Sequence, residues 1–174
     1  MIGRPLDAEA PSYLSGYIGE VAGDDPVAIA GAQLEEALQL FAGISGELSL
    51  HRYAEGKWSI RELLNHVTDT ERSFAYRILW FARGFTAPMP GYDQDIGVAG
   101  AEADAVSWAA HVEEFRLVRL ATISLLRNLP AEGWKRSGSS TSGSFYTVRA
   151  LAFVTSGHVA HHLTILRERY LRSA

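Results

Sequence analysis

The chain reads as an all-α protein, a four-helix bundle, and three observations predict it. Apolar residues recur at helical spacing in four long segments, each bounded by residues that start or stop helices. No segment alternates apolar and polar residues in the way that marks a half-buried strand. The 174 residues are 47% hydrophobic and include only 6 prolines, a size and composition that suit one domain with a substantial core. A single domain over 1–174 is therefore expected, with residues 1–24 forming an N-terminal arm.

The arm mixes Pro, Gly, Asp and Ser with Tyr13, Leu14, Tyr17 and Ile18. That pattern suggests a segment laid onto the body, or a dimer contact, rather than a long helix. Asp25 then offers an N-cap and Pro26 a first helical residue, and Val27, Leu34, Leu38 and Phe41 carry the first helix to Ala42, closed by Gly43 and Gly46. After a link containing His51 and Tyr53, Ser59 and Glu62 form a capping box for a second helix that runs to Arg83 and stops at Gly84. The segment Ala87 to Asp95 holds two prolines and a glycine and reads as part of a long crossing loop between helices two and three. Asp93 and Asp95 do not match a calcium loop, which needs more oxygen ligands at set spacings. Trp108, Val112, Phe115, Val118, Ile123 and Leu126 mark a third helix from about Asp104 to Leu129, ended by Pro130. Gly138 to Ser144 is low in complexity and reads as a polar, mobile loop. Thr147 caps a fourth helix over Val148 to Arg172.

Charge and composition exclude several functions. A formal charge of −4 and a pI near 5.8 argue against nucleic acid, which demands a basic face. No apolar run approaches the roughly 20 residues of a membrane span, and the first twenty residues lack a signal-peptide layout. The chain has no cysteine, which rules out thiolate ligands and a cysteine nucleophile and fits a reducing cytoplasm. Any metal must be held by nitrogen or oxygen.

The fourth helix carries His158, His161 and His162, three of the six histidines. On a helical wheel His158 and His162 sit one turn apart among Leu151, Val154, Thr155, Ile165 and Leu166, whereas His161 points about 60° off that line, toward the rim. Buried imidazoles whose ring nitrogens are unpaired cost about 1–3 kcal/mol for each unsatisfied group. Either a metal uses those nitrogens or hydrogen bonds to neighbouring side chains do. On the second helix His66 lies at the border between an apolar face (Leu63, Val67, Phe74, Ile78, Phe81) and a polar strip of Glu62, Asp69, Thr70, Ser73 and Arg77. Two histidines four apart and a third from another helix would give three neutral nitrogen donors and leave coordination positions open, as in catalytic rather than structural sites. Such a set suits zinc, nickel, copper or iron(II), and disfavours magnesium and calcium. His51, in a link, and His111, beside Glu114, read as surface residues. Glu62, Asp69 and Thr70 share a face with His66 and are candidates to orient an imidazole or a bound water. Glu62 and Asp69 are also candidates for an acid or base, with a solvated helix face as the competing account.

Several segments together resemble the DinB/YfiT-like superfamily. They are Lys57-Trp58-Ser59-Ile60-Arg61-Glu62-Leu63-Leu64-Asn65-His66-Val67; Thr70-Glu71-Arg72 with Phe81-Ala82-Arg83-Gly84; Pro90-Gly91-Tyr92-Asp93-Gln94-Asp95; and Val148-Arg149-Ala150-Leu151 leading to Gly157-His158-Val159-Ala160-His161-His162. The resemblance spans nearly the whole chain from the first helix onward. It implies a four-helix bundle, commonly dimeric, with His66, His158 and His162 as ligands to a divalent ion, often nickel or zinc. DinB proper usually follows its last histidine with Arg-Gly-Gln, whereas Leu163-Thr164-Ile165 stand here, which is closer to the YfiT-type branch. The resemblance implies a metal-dependent enzyme acting on a small molecule, either a hydrolase or a low-molecular-weight-thiol S-transferase. In a chain without cysteine any thiol must arrive as a cosubstrate. The alternative is a non-catalytic, stress-associated metal-binding or scaffold dimer, since no committed base or nucleophile is visible. A cytoplasmic homodimer is expected.

Overall fold

In the computed structural model, which describes residues 2–172, the arm is only partly irregular. Met1, Ser173 and Ala174, at the ends of the expected domain, lie outside the described residues. A 3₁₀ turn at Asp7–Glu9 leads into helix α1, Ser12–Gly19. Arg149 forms an ion pair with Glu9 and so ties the arm to the body, while Arg4 Nη1 donates to Val21 O over 2.8 Å and joins the two ends of the arm.

Helix α2, Pro26–Ala42, starts as expected: the Asp25 carboxylate accepts from Val27 N and Ala28 N, with proline at the first turn where no backbone donor is needed. Helix α3, Ile60–Ala82, has both halves of the capping box, Ser59 Oγ accepting from Glu62 N and Glu62 Oε2 from Ser59 N. It stops where Gly84 takes φ +89°. The crossing loop that follows contains an unforeseen helix, α4, Gln94–Ala101, capped by Asp93. The third bundle helix, α5, is shorter than expected, Trp108–Arg127. Ser107 takes the cap, and residues 103–105 form a separate 3₁₀ turn after Glu102 enters the left-handed region at φ 47°. A single turn, α6, Ala131–Trp134, follows Pro130.

The polar link before the last helix is not the mobile loop expected. Ser137–Ser139 (β1) and Phe145–Thr147 (β2) pair antiparallel, with Gly138 opposite Tyr146. Gly138 is required by packing: a Cβ there would lie 2.0 Å from the Phe81 ring. The Met89 segment is stitched to the hairpin, Met89 N donating to Ser139 O and Thr141 N to Met89 O, both over 2.9 Å. These strands are three residues long and are held by distant partners, so no local alternation announces them.

Helix α7, Val148–Ile165, is capped by Thr147 Oγ1, which accepts from Ala150 N. Its last turn widens into a π-turn at Leu166–Tyr170. Tyr170 Oη donates to Trp58 O over 2.8 Å and so joins this turn to the start of α3.

Helices α2, α3, α5 and α7 form the four-helix bundle. The main contacts run from α2 to α5, α5 to α3, α3 to α7 and α7 back to α2. Consecutive helices α2 and α3 therefore sit across a diagonal, and residues 43–59 make the crossing. Two apolar clusters fill the interior. One gathers Leu34, Phe41, Leu63, Leu64, Phe115, Leu163 and Leu166; the other gathers Ile78, Phe81, Leu126, Leu151 and Val154, with Ala10 and Leu14 of the arm. Burial of each large side chain contributes about 1.5–3 kcal/mol. On α3 the break between clusters falls between Val67 and Phe74, and on α7 between Val154 and Val159. Buried polar residues lie in or beside that gap: His66, Thr70, Glu71, Thr155, Ser156 and His158.

Candidate functional site

The break between the two clusters is where the three predicted histidines meet. His66 Nε2 lies 3.2 Å from His158 Nε2, and His162 Nε2 lies 3.1 Å from the same atom. One ring nitrogen from each falls within 4.8 Å of the other two. His66 and His158 are buried and His162 is partly buried. His66 is thus deeper than its border position on the helix suggested, because Trp58, with its ring centroid 4.9 Å away, and α7 close over it.

Hydrogen bonding alone serves this cluster poorly. A neutral imidazole nitrogen carries either one proton or one lone pair, and the Nε2 of His158 faces two other Nε2 atoms at once. Burial pushes His66 down to about 4, against the pull of Asp69 and Asp95, and pushes His162 down to about 3, helped by His66 and His161. Burial also holds His158 well below the ordinary histidine range, with its neighbouring imidazoles acting in the same direction. All three rings are neutral at pH 7, so lone pairs are available to converge on one point. That donor set fits a borderline-soft divalent cation.

Surrounding groups orient the rings. Thr70 Oγ1 lies 3.4 Å from His66 Nδ1, so a proton on Nδ1 points at Thr70 and leaves the lone pair on Nε2. Tyr17 of α1 meets the His158 ring edge-on, with centroids 5.3 Å apart. This approach depends on Gly157, where a Cβ would sit 1.8 Å from Tyr17 O.

The other candidates lie apart. Glu62 Oε2 is taken by Ser59 N and by an ion pair with Arg52. Asp69 accepts from Asn65 Nδ2 and pairs with Arg72 over 2.9 Å. Neither carboxylate hydrogen-bonds to a cluster imidazole, although the Asp69 charge reaches His66. His161 directs its ring to Tyr17, with centroids 5.4 Å apart. His111 is corrected outright: it is buried and donates from Nε2 to Ala103 O over 2.8 Å, because the 3₁₀ turn before α5 folds over it. His51 is also not a free surface residue; it is partly buried, edge-on to Tyr170 at 6.4 Å.

A cavity of about 310 Å³ opens beside the cluster. His66 and His158 line it together with Tyr13, Tyr17, Arg77 and Tyr146. A second recess of about 280 Å³ reaches His162 from the side of Trp58 and Tyr170. Sequence reasoning placed Thr70, Ser73 and Arg77 on the strip beside His66 but did not find the tyrosines. The one sequence signal for Tyr17 was the glycine next to His158, which marks a close approach of backbone.

Fold and site together define a four-helix bundle with three converging imidazoles at its polar waist. The model of the DinB superfamily matches residues 31–166, and the chain belongs to that superfamily. Comparison with curated protein sequences finds no match. Among solved structures the chain is similar to YfiT from Bacillus subtilis, described as a probable metal-dependent hydrolase with an unusual four-helix bundle topology. The two share 16% identity with a TM-score of 0.69, over 98% of this chain and 93% of that one. It is also similar to a mycothiol-dependent maleylpyruvate isomerase, at 13% identity and a TM-score of 0.68, over 84% of this chain and 61% of that one. A mutant of that isomerase with one histidine changed to alanine gives the same values. The chain therefore spans less than two thirds of the isomerase. Among the described residues no helix is long and apolar enough to cross a membrane.

Proposed function

We propose that the chain is a metal-dependent enzyme acting on a small molecule, with His66, His158 and His162 holding one divalent ion, nickel or zinc before iron or copper. The observation that carries this reading is the convergence of three neutral Nε2 atoms beside a cavity of ligand size. When bound, the ion supplies Lewis acidity to a water or a small thiol brought into the cavity, which serves hydrolysis or thiol S-transfer. The protein's own part is positional. Thr70 holds the His66 tautomer and Tyr17 limits rotation of His158. The two similar structures support this range of chemistry, since one is named for metal-dependent hydrolysis and the other for a thiol cofactor.

A second reading has its own observation. Glu62 and Asp69 are both engaged by arginines, so neither stands as a ready acid or base, and that favours a non-catalytic metal-binding dimer. The exposed pair Leu117 and Leu120 on α5 supports the homodimer common to both readings, and the lack of cysteine supports the cytoplasm as its place.

Elemental analysis of untagged protein, followed by a screen of the metal-loaded form against esters, amides and thiol–electrophile pairs, separates the two. Turnover lost in His158→Ala supports the enzyme. Stoichiometric metal with no turnover on any class supports the binding protein.

A further inference from the structure

The cavity beside the histidines contains a charge that no carboxylate among the described residues answers. Arg77 is 7% exposed and is the only lysine, arginine, aspartate or glutamate lining that cavity. Among the described residues no carboxylate pairs with it, while nine other ion pairs are formed. A buried guanidinium cannot shed its proton, and buried charges are ordinarily paired.

The side chain is held in place. Nη2 donates to Pro90 O over 2.8 Å, and the guanidinium carbon lies 5.8 Å from the centroid of Phe74, one turn back on α3. Its charge acts on the Tyr13 and Tyr146 hydroxyls, which stand 3.2 Å apart and line the same cavity. His66, Thr70, Ser73 and Arg77 follow the spacing i, i+4, i+7, i+11 and so form one stripe on α3. The Cα atoms of His66 and Arg77 are about 16 Å apart along the axis. Both side chains lean toward the N-terminus of α3, so it is the reach of the long arginine side chain that narrows this separation, and both residues line the same cavity.

We infer that this cavity takes a small organic carboxylate, anchored by Arg77 with the Thr70 and Ser73 hydroxyls beside it, so that the far end of the molecule lies at the three-histidine cluster. The planar guanidinium matches a carboxylate in geometry as well as charge. A volume of about 310 Å³ admits a compact molecule of four or five carbons and little more. The inference deepens the proposed function and rests on it for what the histidine end does, but the anchoring role of Arg77 does not require a metal.

Succinate and its neutral counterpart succinamide are the probes, titrated calorimetrically into metal-loaded and chelated protein. The wild type should bind succinate about 10- to 100-fold more tightly than succinamide, the range of a charge-assisted hydrogen bond. That preference should persist, at lower affinity, after chelation. Arg77→Gln should bring succinate down to the level of succinamide. Since Arg77 also pins Pro90, Ser73→Asp is the deciding variant if Arg77→Gln does not fold. Ser73 is only partly buried and lies four residues before the arginine, where an aspartate would occupy the guanidinium and abolish the preference. Equal affinity of the wild type for the two probes, or a preference unchanged in Ser73→Asp, overturns the inference. A protein that never takes up metal yet keeps an Arg77-dependent preference for succinate overturns the metal reading and leaves this one standing.

Discussion

Burial sets the protonation of the three imidazoles, and the sign of the resulting pH dependence can be worked out. An unfolded histidine titrates near about 6.5, whereas folded His66 and His162 sit at about 4 and about 3. Between those values the unfolded chain binds more protons than the folded one, so stability falls as pH falls. Metal-free protein should lose stability progressively from pH 6.5 downward. Urea midpoints between pH 8 and 4 test this, and a flat profile would contradict the neutral cluster. Metal affinity should hold until the pH nears about 4 and fall below it, because only there do protons take the lone pairs of the folded cluster. Residue direction also separates neighbours in the chain. His162→Ala and His66→Ala should abolish stoichiometric metal binding in a calorimetric titration. His161→Ala should keep the stoichiometry and weaken affinity at most about 10- to 100-fold, as when an outer partner is removed. Binding lost in His161→Ala but kept in His162→Ala would reverse the assignment.

Among the elements, α1 is held against α7 through one glycine. Alanine at Gly157 would gain about 1 kcal/mol of helix propensity. Its Cβ would meet backbone rather than a flexible side chain, 1.8 Å from Tyr17 O, and overpacking of this kind costs about 1–3 kcal/mol. The clash wins. Gly157→Ala should lower the melting temperature and open residues 2–24 to limited proteolysis while the bundle stays folded. Equal protease resistance would show that α1 is not docked as described. The pairing of α3 with α5 rests partly on Glu71 and Arg119, both fully buried, with Nε and Oε2 3.4 Å apart. Burial pushes the Glu71 carboxyl up and the Arg119 guanidinium down, and each charge opposes the shift of the other. Arg119 Nη2 also donates to Gln33 Oε1 over 2.6 Å, and Gln33 Nε2 donates to Ser156 O. Glu71→Leu alone strands a buried cation and should cost about 3–5 kcal/mol. Glu71→Leu with Arg119→Met should cost less than Glu71→Leu alone, despite leaving Gln33 Oε1 without its donor. A double-mutant cycle in urea measures the coupling, and simple additivity would rule it out.

Taken as a whole, the molecule has its two apolar clusters divided by a polar layer, and the three histidines sit in it. A cation bound only to the folded state adds RT ln(1 + [L]/Kd), about 2.7 kcal/mol at a hundredfold excess over Kd. Exhaustive chelation should therefore lower the melting temperature, and readdition of nickel or zinc should restore it. Identical melting of chelated and metal-supplied protein, with no metal retained in either, would remove the centre from the account.

Much of this organisation was legible in local chemistry. Asp25 with Pro26, Ser59 with Glu62, Thr147, and Gly84 after Ala82 each set a helix boundary through bonds within a few residues, so the ends of α2 and α3 and the start of α7 could be read from the sequence. The spacing of His158 and His162 is likewise a property of one helix. Other features depend on atoms far apart in the chain. The hairpin at Ser137–Thr147 exists because Phe81 and Met89 pack and bond against it. His111 is buried because the turn at Ala103 closes over it. The meeting of His66 with His158 requires α3 to lie against α7, which follows from the diagonal crossing from α2 to α3 that no local signal specifies. Arg77 could be placed on the polar strip of α3 from periodicity, but its isolation from every carboxylate among the described residues is a fact of packing. Local hydrogen bonds and helical periodicity are written in neighbouring residues, whereas burial and the company a side chain keeps are settled only when distant helices close around it.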